Sequence, residues 1–268
     1  MNKKIETGER ILPDNIKSQY EYLLYLRHLF AYKFVCKMLL KNDTILDIGC
    51  GEGYGTNLLS NYAMKIIGID SDVNAITHAK EKYSGNNLSF IHYSGDNLPF
   101  EEFTFDKIIS FQVIEHIFSD HKFVAEVYRI LKQGGEFFLT TPNKRYRLKP
   151  QQKPWYQFHV REYNKDEIET LFKTRFNKVE IKFIKAPEEF YKMEVNVAKI
   201  ASFVQKYDFL ELNRFIPYKV RKIIFKMFDI FSYSQKKNLN CKKTWSTEDF
   251  SISNEDYLGL DLFAISKK

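Results

Sequence analysis

The stretch Ile45-Leu46-Asp47-Ile48-Gly49-Cys50-Gly51-Glu52-Gly53-Tyr54-Gly55 decides how this chain folds. Its first part is a short apolar, β-branched run, the composition of a strand buried on both faces of a parallel sheet. Its second part has glycine at every other position. Glycine accepts left-handed backbone and carries no Cβ, so the chain can turn sharply there and approach a ligand closely. From Tyr54 to Tyr62 the pattern restarts as helix, whose first N–H groups lack intrahelical partners and face the loop. A second apolar run, Lys65 to Ile69, ends at Asp70 with Ser71 beside it. That carboxylate stands about twenty residues after the first glycine, at a strand end where it can accept hydrogen bonds from two ribose hydroxyls.

Outward from this unit, strand and helix patterns alternate. Helix is expected from Ser18 to Leu40, Asp72 to Tyr83, Asp120 to Leu131 and Asn164 to Phe172, with Asn164 as an N-cap. Strands are expected at Leu88–Tyr93, Lys107–Phe111, Glu136–Thr140, Val179–Ile184 and Tyr257–Ser266. Such alternation implies a mostly parallel sheet covered on both faces. The segment 187–255 breaks it and reads as largely helical.

The chain of 268 residues is 44% hydrophobic, which suits a sizeable core and excludes a disordered or fibrous class. Three cysteines, Cys36, Cys50 and Cys241, form no metal-type spacing and point to a reducing compartment. The first residues lack the apolar run of a signal peptide, and no run reaches about 18 apolar residues, so a cytoplasmic protein is expected. The net charge of +7 is compatible with nucleic acid, an anionic membrane surface or phosphorylated small molecules.

The run Asp47 to Gly53 resembles the signature loop of class I S-adenosylmethionine-dependent methyltransferases. Asp47 separates it from dinucleotide-binding loops. An acidic residue there would repel a pyrophosphate but suits the ammonium of the cofactor's amino-acid end. The resemblance implies a Rossmann-like α/β fold, a seven-stranded mostly parallel sheet with an N-terminal helical lid (1–42), a core (43–186), a helical cap (187–255) inserted before the last strand, and that strand (256–268). It also implies S-adenosylmethionine as cofactor, held by Asp47, Gly49, Cys50, Gly51, Gly53, Asp70 and Ser71, by Asp96 and Asn97 at the adenine, and by Gln112.

Enzymes of this superfamily that methylate base amines carry an Asn/Asp-Pro-Pro-aromatic motif after the fourth strand. Here the residues are Ser110-Phe111-Gln112-Val113, which disfavours that chemistry. Glu115 and His116 follow, where the acceptor should lie. His116 is the expected general base, because an imidazole exchanges a proton near neutral pH without a large shift. Glu115 and His159 complete the catalytic set. The segment also resembles small-RNA 2′-O-methyltransferases and quinone-precursor O-methyltransferases, which carry Glu-x-x-Glu-His there. In the RNA enzymes a later histidine joins the cluster around a divalent metal. Gln112 replaces the first glutamate, so no metal ligand set is assigned and a divalent metal is kept as an alternative; Glu115 pairing with Arg161 is the plainer reading.

The acceptor is expected to be a small molecule, a hydroxyl or amine of a sugar, nucleotide sugar or lipid-linked saccharide. This follows from a resemblance of Thr7–Pro13 and the following helix to surface-polysaccharide methyltransferases, in which Tyr20, Tyr25, Arg27 and His28 would face the pocket. RNA 2′-O-methylation and a non-catalytic cofactor-binding regulator are the rival readings. A nucleic acid partner is not expected. Residues 215–231 pattern as a basic amphipathic helix, suited either to peripheral membrane contact or to packing on its own domain. Lys144–Lys149 is a basic run that could meet a phosphate or simply be a solvated loop.

Overall fold

The protein was analysed as a computed structural model, which describes residues 11–16, 18–95, 97–156, 158–207 and 244–268, with backbone alone for 203–207. Asp96, Cys241, the first ten residues and the 215–231 segment lie outside the described residues.

The chain lays down strand β1 (Thr44–Ile48), helix α2 (Tyr54–Ser60), β2 (Lys65–Asp70), α3 (Val73–Lys82), β3 (Leu88–His92) and β4 (Phe105–Phe111), preceded by helix α1 (Gln19–Cys36). There follow α4 (Asp120–Ile130), β5 (Leu131–Pro142), α5 (Lys144–Arg147), α6 (Lys165–Lys173), β6 (Lys178–Lys185), α7 (Glu188–Tyr207), β7 (Ser251–Ser253) and β8 (Gly259–Lys267). Ser18 caps α1 by accepting from the Glu21 N–H. Asn164 and Glu167 form a reciprocal capping box at α6.

The strands form one sheet in the order β3-β2-β1-β4-β5-β8-β6-β7. β1 to β5 run parallel, whereas β8 enters antiparallel between β5 and β6. The expected count of seven strands is corrected to eight among the described residues. The extra one, β7, has three residues on the edge against Phe183–Lys185, too short to show a strand period in sequence. β5 is also longer than expected, because Gly134 takes a left-handed turn within it rather than before it.

Two apolar layers cover the sheet. On one face, Phe123, Val124 and Val127 of α4 and Ile168, Leu171 and Phe172 of α6 meet Leu46, Ile108, Phe137 and Leu262. On the other, Leu23, Leu26, Ala31 and Val35 of α1 and Phe190 of α7 meet Ile45, Ile66, Ile109, Phe138 and Phe263. The strand order reverses between β1 and β4. Ligands of open α/β sheets bind at the carboxyl ends of the strands flanking such a reversal. No helix of the described residues is long and apolar enough to cross a membrane.

Candidate active site

The loop after β1 is built on left-handed backbone, with φ of 75° at Gly49, 52° at Gly51 and 80° at Gly53. The Gly49 and Cys50 N–H groups donate to the Ile69 carbonyl at 2.8 and 3.0 Å, which anchors the turn to β2. A Cβ at Gly49 would lie 2.2 Å from Val113 Cγ2, so only glycine lets the loop after β4 close onto it. A Cβ at Gly51 would meet nothing within 4 Å; the backbone there opens onto space. Asp70 is fixed where β2 ends: its carboxylate accepts from the Gly51 and Asp72 N–H groups, both at 2.8 Å. Each oxygen retains a lone pair for a hydroxyl donor.

Asp47 is completely buried, accepting from the Thr56 hydroxyl at 2.6 Å and the Tyr32 hydroxyl at 3.3 Å. Burial pushes its carboxyl up to about 7, against the opposing pull of those two hydroxyls. The strand periodicity that places Asp47 opposite Gly68 and Ile109 says nothing of Tyr32, which α1 brings across the loop to lie against Gly55. Glu52 is held by His78 of α3. Ser71 and Asn97 are exposed, with the Ser71 carbonyl facing His92 Nε2 at 3.1 Å. The loop after β3 is bracketed by Arg129, which donates to the Leu98 and Phe100 carbonyls and to Glu126, while Glu126 accepts from the Leu98 N–H.

Beyond β4, Gln112 adopts a left-handed φ of 57° and donates its amide to Thr140 Oγ1 at 3.1 Å. A left-handed non-glycine residue is uncommon and marks a functional turn in many sites. It releases the chain into a short 3-10 turn, Ile114–His116, that drops Glu115 under the strand ends. There Glu115, fully buried, accepts from Thr141 Oγ1 at 3.0 Å. The peptide from 158 to 163 returns over it, with the Val160 N–H donating to the Glu115 carbonyl at 2.8 Å. The structure thus brings together Glu115, His116 and His159, whose ligand-capable atoms all lie within 4.8 Å of one another. Arg161 reaches Asp120 at 2.5 Å, so the plainer expectation for Arg161 is corrected: its partner comes from α4.

The surroundings of the two imidazoles fix their tautomers. His116 Nδ1 faces the Phe158 carbonyl at 3.0 Å, and His159 Nδ1 faces Glu162 Oε1 at 2.8 Å. A carbonyl only accepts, and a carboxylate accepts when ionised, so both Nδ1 atoms carry hydrogen. Burial pushes the Glu162 carboxyl up, but the adjacent Arg147 and His159 outweigh it and hold the group below its usual range. Arg147 is buried, donates to Glu162 at 2.9 Å and stacks over Trp155. It is therefore turned inward, whereas Arg145 of the same basic run pairs with Asp256 at the surface. One carboxylate with two imidazoles, each steadied through its second nitrogen, is a donor set suited to a divalent metal.

Tyr32, Thr56 and Glu162 join the candidate site without having been singled out in the sequence, and Arg147, singled out within a basic run suited to a phosphate, holds Glu162 instead. The spacing His159-Val160-Arg161-Glu162 could have flagged Glu162.

A reversed strand beside β5, a glycine loop without a phosphate-binding lysine and a carboxylate ending β2 make up the Rossmann-like arrangement expected from the sequence. Residues 46–139 match the methyltransferase domain family. A probable S-adenosylmethionine-dependent methyltransferase of Mycolicibacterium smegmatis is 33% identical over 174 residues, covering 65% of each chain. The mitochondrial ubiquinone biosynthesis O-methyltransferase of Dictyostelium discoideum is 28% identical over 143 residues, 43% of this chain and 44% of that one. The fold is shared with an S-adenosylmethionine-dependent methyltransferase of Thermotoga maritima, at 15% identity and a TM-score of 0.57 over 93% of this chain and 95% of that one. The chain spans just under two thirds of the first relative's length. S-adenosylmethionine is the cofactor these relatives assign to the domain, and the open backbone at Gly51 with Asp70 beside it fits its ribose.

Proposed function

We propose that the protein transfers a methyl group from S-adenosylmethionine to a hydroxyl of a small acceptor, a saccharide that is free, nucleotide-linked or lipid-linked. The carrying observation is the trio of buried Glu115 and His159 with the partly exposed His116 at the carboxyl edge of β4, the side to which the cofactor loop opens. A hydroxyl needs a proton acceptor as it becomes nucleophilic, and that trio holds two imidazoles and a carboxyl group. An amine acceptor would need them less. The named activity of the ubiquinone biosynthesis relative, an O-methylation, supports oxygen as the acceptor atom.

Bound at Gly49–Gly53 and Asp70, the cofactor supplies an electrophilic methyl on a sulfonium. The protein's own work is to hold and deprotonate the acceptor. His116 Nε2 takes the hydroxyl proton. Phe158, through its carbonyl, keeps the ring in the required tautomer. Glu162, itself held by Arg147, does the same for His159. If Glu115, His116 and His159 hold a divalent metal, it would act as a Lewis acid that lowers the pKa of the acceptor hydroxyl. The same trio and the charge of +7 favour, as a second reading, the 2′-hydroxyl of RNA.

The test is transfer of a radiolabelled methyl from S-adenosylmethionine into fractionated extract of source cells lacking this protein. Label in small water-soluble or lipid-extractable fractions, absent with His116→Ala, is the expected result. Macromolecular label removed by ribonuclease would move the assignment to RNA. No label in any fraction, from protein that binds S-adenosylhomocysteine, would sink the transfer reading.

A further inference from the structure

At the edge of the sheet opposite the cofactor loop, the turn from α1 into β1 and the turn from α2 into β2 present three apolar side chains to solvent. Leu40 is 60% exposed, Met64 58% and Tyr62 41%. Asp43, buried between the two turns, holds them together. Its carboxylate accepts from the Leu40 N–H at 2.7 Å, and its carbonyl accepts from the Met64 and Lys65 N–H groups at 3.0 and 3.3 Å. Lys41 Nζ donates to the Asn61 carbonyl at 2.6 Å and stands 6.0 Å from the centre of the Tyr62 ring. The two turns thus form one fixed surface.

Charge separates this place from the other exposed apolar side chains. Residues 37–44 and 61–65 carry three exposed lysines, Lys37, Lys41 and Lys65, and a single acid, Asp43, which is turned inward. Among the described residues none of the three lysines meets a carboxylate. The adjoining turn 84–87, tied in by Asn87 donating to the Ala63 carbonyl at 3.0 Å, is uncharged. On the other flank Asp106 is paired with Lys132, and Glu101 and Glu102 face Arg129 and Lys268. Phe118 and Tyr257 are more exposed still, but they sit on different loops at the ligand edge, and Tyr257 lies beside the Lys185–Glu255 pair. Single exposed apolar residues are ordinary, whereas a contiguous set rimmed by one sign of charge marks an interaction site.

We propose that this surface docks on an anionic phospholipid bilayer, with Leu40 and Met64 inserted, Tyr62 at headgroup level and Lys37, Lys41 and Lys65 on the lipid phosphates. The proposal goes beyond the methyl-transfer reading and does not depend on it. Size favours a bilayer over a protein partner. A stable protein interface takes about 20–30 residues a side, and this surface offers three apolar tips and three lysines. A bilayer needs no more, because each lysine near an anionic surface strengthens binding about fivefold and the inserted tips add apolar burial. A second copy of the chain meeting the same surface would bring lysine against lysine. The docked chain turns its ligand edge to water. β1 is five residues long, so that edge stands about 17 Å farther from the bilayer than the docking surface. A soluble acceptor reaches it freely, and a lipid-linked one must span that distance.

The test is flotation of the full chain with vesicles of phosphatidylglycerol and phosphatidylcholine in equal parts, and with vesicles of phosphatidylcholine alone. Wild type is expected to partition onto the anionic vesicles, less so as salt is added. Leu40→Asp/Met64→Asp should lower that partition at least about tenfold, through lost insertion. Lys37→Gln/Lys41→Gln/Lys65→Gln should lower it about a hundredfold, the product of three lysines. Phe118→Asp, at the opposite edge, should leave it unchanged. Melting temperatures check folding, and if the double aspartate variant melts early the lysine variant, which removes no apolar contact, decides. Three results overturn the proposal. One is wild type that stays off anionic vesicles. Another is folded variants that partition as wild type does, which moves any membrane contact to residues 215–231. The third is a dimer of the wild type that both variants dissolve, which makes the surface a contact between copies. None of them touches methyl transfer, which the extract labelling reads separately.

Discussion

At the scale of single residues, Asp47 carries the clearest consequence. Its carboxyl sits near 7 because it is buried, so the folded protein keeps a proton that the unfolded chain releases at about pH 4. The native state then binds more protons than the unfolded state between those values, and stability must fall as pH rises from about 4 to about 7. The full contribution is a few kcal/mol, at about 1.4 kcal/mol per pH unit. Asp261, pushed up to about 6 by burial despite Arg27, contributes in the same direction over a narrower window. Urea midpoints of the cofactor-free protein at about pH 5 and about pH 8 should therefore decline in wild type and decline less in Asp47→Asn. A cofactor ammonium favours the ionised form, so wild-type affinity for S-adenosylhomocysteine should rise across the same interval and that of Asp47→Asn should stay flat. Parallel pH slopes for the two proteins would show that Asp47 is not the group titrating.

At the scale of elements, helix α1 meets the loop at Tyr32, which lies on Gly55 and reaches Asp47. An added Cβ at Gly55 would stand 2.1 Å from Tyr32 Cζ, inside any tolerable contact. Gly55→Ala should force Tyr32 off Asp47 and lower stability by about 1–3 kcal/mol, the usual cost of overpacking. It should also weaken S-adenosylhomocysteine binding. In the double variant Gly55→Ala/Tyr32→Ala the clash disappears, so the two stability losses should fall short of additive. Strict additivity would mean that α1 does not dock as described. The contrast shows what a sequence can disclose. The strand, the glycine turn and Asp70 are local features, set within about twenty-five residues by periodicity and glycine chemistry, and they were legible. Tyr32 was not: apolar residues of α1 mark a buried helix, but which side chain crosses the loop depends on how α1 lies on the sheet. β8 was legible as a strand, yet its reversed place between β5 and β6 was not, because pairing across the sheet leaves no local period. Asp261, an acid within the apolar run Gly259–Ile265, was a readable signal whose meaning required Arg27 and Glu194 to arrive from two distant helices.

At the scale of the whole molecule, the trio Glu115, His116 and His159 and the residues that hold it come from three separate segments. β4 ends in the turn that carries Glu115 and His116, β5 supplies Thr141, and the peptide near 159 returns with His159 and Glu162. The sequence argument against a metal was that Gln112 replaces a carboxylate. In the structure Gln112 turns instead to Thr140 and Asp261, and the remaining carboxylate with two oriented imidazoles forms a compact donor set by itself. Ligands fixed by partners on their far nitrogens bind more tightly, because less orientation is lost on binding. Protein purified without chelator or nickel affinity, then dialysed against zinc, manganese or magnesium, should retain about one ion per chain of at least one of them. Retention should disappear in Glu115→Ala and in His159→Ala. The retained ion should also raise the melting temperature, since at about a hundred times its dissociation constant a ligand specific for the folded state adds roughly 2.7 kcal/mol. Both variants should lose that rise while still binding S-adenosylhomocysteine. If metal content stays near zero after every dialysis and no ion shifts melting, the trio works by proton transfer alone; His116→Ala should then cost about 10²–10⁴ in rate, the range of a lost general base.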